Sequence, residues 1–225
     1  MKSKVLIPLT IFVFVFLRLS AQSNKDSKTG EQRPGVKCME NSPERHGEEG
    51  CTILANKPLL GSPQANVYWH IDRFESREAA VKAAGINGVA AEAHGFFWLM
   101  TIEPKAEEHY GGVHDAWIGP IVLPTLNNNS MRVLSSLLMP GSVTPVHTHS
   151  GPEVFYIIEG EQCIETPEEG HHLRAGKTFI VPGGGIHRGR VIGSVPRRAL
   201  ALNVYDTALP PSHDLASPPA LISCK

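Results

Sequence analysis

From Val113 to Tyr205 the chain is a succession of short apolar runs, each cut off by glycine, proline or asparagine. The runs include Ile118 to Leu123, Met131 to Met139, Glu153 to Ile158, Gln162 to Thr166, Thr178 to Val181, Ile186 to Ile192 and Arg198 to Tyr205. Even spacing of this kind predicts a small all-β barrel or sandwich. The supply of turn residues agrees, with 21 Gly and 18 Pro among 225 residues. At 41% hydrophobic and 19% charged, the chain excludes whole-chain disorder and a fibrous repeat.

The segments before the barrel read differently. Lys2 and Lys4 precede an apolar run from Val5 to Leu17, and Leu19-Ser20-Ala21 offers a small-residue cleavage point. That order describes a secretory signal over residues 1–21, with an uncleaved anchor as the alternative. The run is shorter than the roughly 20 residues a bilayer span needs, so no stable membrane insertion is expected after cleavage, and the chain is expected to be secreted or periplasmic. Cleavage removes Lys2, Lys4 and Arg18 from 21 basic residues, leaving 18 against 22 acidic ones, a net charge near −4. Nucleic acid is thereby a poor partner. Residues 22–65 are polar and punctuated by Gly and Pro, and are expected to form a flexible leader.

Residues 66–110 change pattern again. Val67 to Phe74 alternates like a strand, Ser76 can cap a short helix over Arg77 to Ala84, and Gly88 to Glu92 and Phe96 to Glu103 read as strands. This β-α-β-β extension carries no motif of chemistry and is expected to serve packing or dimer formation. The barrel is expected over 111–209, with a Pro-rich, irregular tail over 210–225.

All four cysteines follow the signal, and export permits disulfides. Cys38 and Cys51 flank a polar loop and suit a local bridge, although three full pairings are open. A tight turn at Glu159-Gly160 would pair Cys163 across from Tyr156, on the face opposite Glu153. Cys163 is therefore expected to be a buried, inert thiol.

One region is dense in metal-ligand types. His147 and His149 are two apart, so on a strand both side chains leave the same face, with Cα atoms roughly 6–7 Å apart. Ser150-Gly151-Pro152 can bend the chain and return Glu153 to the same point. Phe155 and Ile157 share the Glu153 face and suit a barrel interior. Farther on, Gly183-Gly184-Gly185 turns the chain before His187, with Gly189 leaving room beside it. Arg188 and Arg190 point the other way and are expected to be surface charges. His171-His172 is expected in a solvated turn, and His70, His94, His109, His114 and His213 lack metal-recruiting spacing. Three imidazoles and a carboxylate form a mixed N/O set without thiolate. Fe and Mn are the leading ions, with Zn, Ni and Cu the others. An octahedral ion held by four protein groups keeps two positions open, as a working site requires.

Both stretches resemble the two motifs of the cupin superfamily. The first runs from Gly141 through His147-Thr-His149 and Glu153 to Gly160 with the family spacing throughout. In the second, Gly176, Pro182, Gly184 and His187 fit, while Val191 stands where the family usually has Asn. The resemblance implies a conical antiparallel β-barrel, a double-stranded β-helix, with His147, His149, Glu153 and His187 as metal ligands and a homodimer by analogy. It is nearly silent on reaction. The leading expectation is a metal-dependent, dioxygenase-like oxidoreductase acting on a small organic molecule. The alternatives are a cupin lyase or isomerase, or a non-catalytic module that binds a small molecule or the metal. No general base is assigned.

Overall fold

The computed structural model describes residues 38–40, 48–60, 66–105, 111–123 and 128–225. The expected signal and most of the expected leader lie outside them. In chain order the elements begin with β1 (Cys38–Glu40), β2 (Gly50–Pro58), β3 (Asn66–Phe74), α1 (Arg77–Ala83), β4 (Gly88–Ala93), β5 (Phe96–Glu103), β6 (Val113–Val122) and β7 (Asn129–Leu138). They continue with β8 (His147–Thr148), β9 (Glu153–Glu159), β10 (Glu161–Glu165), β11 (Gly170–Arg174) and β12 (Thr178–Val181). The last are β13 (Arg188–Ile192), β14 (Arg197–Asp206) and β15 (His213–Asp214).

The strands form three main layers. A six-stranded sheet in the order β1-β2-β7-β14-β9-β12 is central. Its side chains alternate between two cores, because successive residues of a strand point to opposite faces. Met131, Val133, Val154, Tyr156, Leu200 and Leu202 pack outward against Trp69, Ile71, Trp98 and Met100 of the four-stranded sheet β4-β5-β3-β6. Leu134, Phe155, Ile157, Ala199 and Ala201 pack inward with Ile164 and Leu173 of the three-stranded sheet β11-β10-β13. This double coverage explains why Glu153 to Ile157 of β9 are all buried.

The β-α-β-β order of the extension is observed. Ser76 Oγ caps α1 by accepting from Ala79 N at 3.1 Å, and Ala84 ends the helix in extended conformation. The extension covers the outer face of the central sheet. It also recruits β6, whose residues read with the barrel strands but pair with β3.

Further expectations are corrected. The expected leader is structured over Gly50–Pro58, where β2 pairs with β7. Ile53 supplies the buried side chain that a polar tether would lack. The expected hairpin at Glu159-Gly160 does not form. β9 pairs with β14 and β12, whereas β10 pairs with β11 and β13, so Gly160 is a corner between two sheets. Its φ is +76°, and an added Cβ would lie 2.6 Å from the Pro196 carbonyl oxygen. Gly160→Ala is expected to cost about 2 kcal/mol or more, combining left-handed strain with a backbone clash. Urea unfolding checks this, and an unchanged midpoint would contradict the corner assignment.

Cys163 is not a free thiol. Without the hairpin it is freed from the Tyr156 register, and it bonds Cys224 of the tail, while Cys38 bonds Cys51. The Pro-rich tail is thus tied down. β15 pairs with β8, Ile222 bridges to Thr166, and Ser223 Oγ donates to Glu165 at 2.7 Å. Arg188 and Arg190 do face away from the His187 side, but they are not simple surface charges. Both donate to the fully buried Glu165. Burial alone would raise the pKa of Glu165. Hydrogen bonds from Arg190, Ser223 and Arg188 outweigh burial and hold it below the ordinary carboxylate value. His171 and His172 lie on β11, with His171 stacked 4.0 Å from Phe179 and His172 Nε2 2.6 Å from Glu161 Oε2.

Candidate metal centre

The ligand-type residues come from three places in the inner layer. His147 and His187 are antiparallel partners. The His147 N–H donates to the His187 carbonyl at 3.0 Å, and the His187 N–H donates back at 3.1 Å. Residues exchanging both bonds present side chains to one face, and the ring centroids lie 4.3 Å apart. His149, two residues beyond His147, places its ring 4.8 Å from that of His147. Glu153 heads β9 and points inward between them. One ligand atom from each of His147, His149, Glu153 and His187 lies within 4.8 Å of all the others.

The imidazoles are held by their far nitrogens. Nδ1–H of His147 donates to the Pro145 carbonyl at 2.8 Å, that of His149 to Pro211 at 2.5 Å, and that of His187 to Gly185 at 3.0 Å. Holding Nδ1 at a carbonyl turns each Nε2 toward the cluster, where it would offer its lone pair to an ion. The three Nε2 atoms then converge on Glu153 Oε2, at 3.9 Å for His147, 3.2 Å for His149 and 2.7 Å for His187. Such a set of one oxygen and three nitrogens, already oriented and mostly shielded from water, fits a divalent transition ion. Gly189 leaves the expected room, since a Cβ there would meet Gln162 Nε2 at 2.8 Å.

The electrostatics follow from burial and proximity. Burial opposes ionisation of Glu153, but His149 and His187 outweigh it and hold the carboxyl well below its ordinary value. Burial lowers the His147 pKa against the pull of Glu153. Burial acts the same way on His149, but the Glu153 charge and hydrogen bond, with the Pro211 carbonyl, raise it overall.

The site opens into a cavity of about 300 Å³ inside the inner layer. Phe155 lines it and Ile157 packs in the same core, as their shared face with Glu153 implies. Sequence reasoning missed Arg132, Arg197 and Asn203, which also line it. Their signal was period-two alternation on β7 and β14, traced from strands with no recognised motif. It also missed the Pro211 carbonyl, because a Pro-rich tail gives no pattern that returns it to His149. Val191 is buried on β13 and fills the family's usual Asn position with an apolar side chain.

The family model described as Cupin domain matches residues 135–204, the stretch that contains all four converging side chains. Residues 135–204 are a cupin domain. The elements of the described residues are nearly all strands, with one helix, and the β-α-β-β extension lies outside the matched stretch. No curated protein matches the sequence. Among solved structures, the chain is similar to the DMSP lyase DddQ from Ruegeria pomeroyi. The identity is 21% over 37% of this chain and 42% of that chain, with a TM-score of 0.33. The chain therefore spans less than half the length of that lyase. A cupin-like protein from Thermotoga maritima is 16% identical over 44% of this chain and 79% of that one, with a TM-score of 0.34. A conserved protein with a double-stranded β-helix domain from Klebsiella pneumoniae is 19% identical over 43% of this chain and 84% of that one, with a TM-score of 0.35. Among the described residues, no helix is long and apolar enough to cross a membrane. Its two disulfides are compatible with an oxidising, extracellular setting.

Proposed function

We propose that the protein is an exported, metal-dependent cupin enzyme with dioxygenase-like oxidoreductase activity on a small organic molecule. One observation carries the reading: three imidazole Nε2 atoms and one carboxylate oxygen converge at the edge of a cavity large enough for a small molecule. His147, His149, Glu153 and His187 would hold the ion. When bound, a divalent iron or manganese ion supplies Lewis-acid chemistry and, for iron, one-electron chemistry with dioxygen. Around it, the chain's own groups do the rest. The carbonyls of Pro145, Pro211 and Gly185 keep the imidazoles in one tautomer. Glu153 supplies the one negative charge, which offsets part of a dication's charge in a desolvated pocket. Phe155, Leu134 and Ala201 present apolar walls that exclude water from the reacting centre. A homodimer and a secreted or periplasmic location belong to the same proposal.

The test is metal analysis of protein purified without added metal, followed by oxygen uptake across a panel of small organic substrates. Stoichiometric iron with substrate-dependent uptake is expected. Manganese without uptake would overturn the oxygenase reading in favour of lyase or isomerase chemistry.

A further inference from the structure

β14 lays an unusual row along the inner layer. Arg197, Ala199, Ala201 and Asn203 are spaced by two and share its inward face. Asn203 stands in register with Glu153 of β9 on one side and Arg132 of β7 on the other. Between the Glu153 level and Arg197, the small side chain of Ala201 leaves a low floor in the cavity, with Leu134 and Phe155 flanking it in register. Arg197, Ala201 and Asn203 of this row line the cavity.

Arg197 closes its far end. It is 96% buried by its 4% relative exposure. Its Nη1 donates to Ser136 Oγ, but among the described residues its buried Nε has no partner and no carboxylate pairs with it. Nε of Arg132 and Nδ2 of Asn203 are likewise buried without a partner. A buried, unpaired guanidinium is costly unless something else completes it. Burial pushes its pKa down to about 10, with the Glu153 charge opposing. The guanidinium is a planar fork that matches a carboxylate edge.

We infer that Arg197 anchors the carboxylate of a small aliphatic organic acid, whose chain lies against Ala201, Leu134 and Phe155 and whose far end reaches the His147, His149, Glu153 and His187 cluster. The inference rests on the proposed metal enzyme for what happens at that far end, but not for the anchoring itself. The cavity's volume, at the small end of ligand sites, restricts the acid to a short chain. One fork at this end of the cavity, with Arg132 on the other side of Ala201 level with Asn203, and the apolar walls between favour a carboxylate over a phosphate.

The experiment titrates butanoate, butanamide and inorganic phosphate into the full-length protein by calorimetry, with metal content measured on the same samples. Wild type is expected to bind butanoate at least tenfold more tightly than either butanamide or phosphate. Arg197→Gln is expected to weaken butanoate about 30-fold or more while leaving butanamide affinity and metal content unchanged. Arg197→Lys, which keeps the charge and guards against a misfolded Gln variant, is expected to recover part of the loss. Equal butanoate affinity in wild type and Arg197→Gln, or no butanoate binding by wild type, would overturn the anchor. Tighter phosphate binding would overturn the carboxylate class. A wild type that holds no metal but binds butanoate through Arg197 would sink the metal-enzyme reading and leave the anchor standing.

Discussion

His187→Ala is expected to lower affinity for the bound transition ion by more than about 100-fold and to abolish any metal-dependent activity. The floor comes from groups that merely orient metal ligands, whose loss typically costs 10–100-fold. A direct ligand must exceed that. His187 is completely buried and lies 2.7 Å from Glu153 Oε2, so neither water nor a neighbouring side chain is poised to replace it. Its backbone pairing with His147 does not depend on the imidazole, which keeps the remaining ligands in place. Metal analysis after dialysis against a weak chelator, with near-ultraviolet circular dichroism to confirm folding, checks this. A folded variant with wild-type metal content would show that His187 is not a ligand.

Loss of the Cys163–Cys224 bond is expected to destabilise the fold by about 4 kcal/mol. The bond spans 61 residues, and the chain-entropy relation gives that magnitude for a loop of this length. For a domain of this size the melting temperature should fall by roughly 8–16 °C. The effect should also reach the metal. Pro211, whose carbonyl orients His149, lies in the segment between β14 and the bridged terminus. β15 pairing and the Ser223–Glu165 hydrogen bond retain part of the tail, so the expected loss of metal affinity is only up to about tenfold. Scanning calorimetry of Cys224→Ser, with metal titration, measures both. An unchanged melting temperature would show that the tail docks without the bond.

What the sequence made legible was local. His147 and His149 could be placed on one face because a strand's period is two, and the Gly, His and Glu spacing carried the site. The β-α-β-β order was legible because Ser76 and the flanking alternation are short-range signals. The misses were long-range. Nothing local distinguishes a hairpin at Gly160 from a corner between sheets, because both want a glycine with positive φ. Cys224 could be paired with Cys163 only once the tail's path was known. β2 was hidden by its polar neighbours, although Cys51-Thr52-Ile53-Leu54 has strand-like residues. Arg197 escaped notice because an Arg-Arg pair at a strand start looks solvated until the fold buries one of the two.

X-ray absorption spectroscopy at the edge of the ion in purified protein addresses the coordination claim most directly. Three imidazole rings and one carboxylate around a single ion are expected, with one imidazole fewer in His187→Ala. A sulfur scatterer, or a wild-type ion with fewer than two imidazoles, would contradict the assignment of these four side chains.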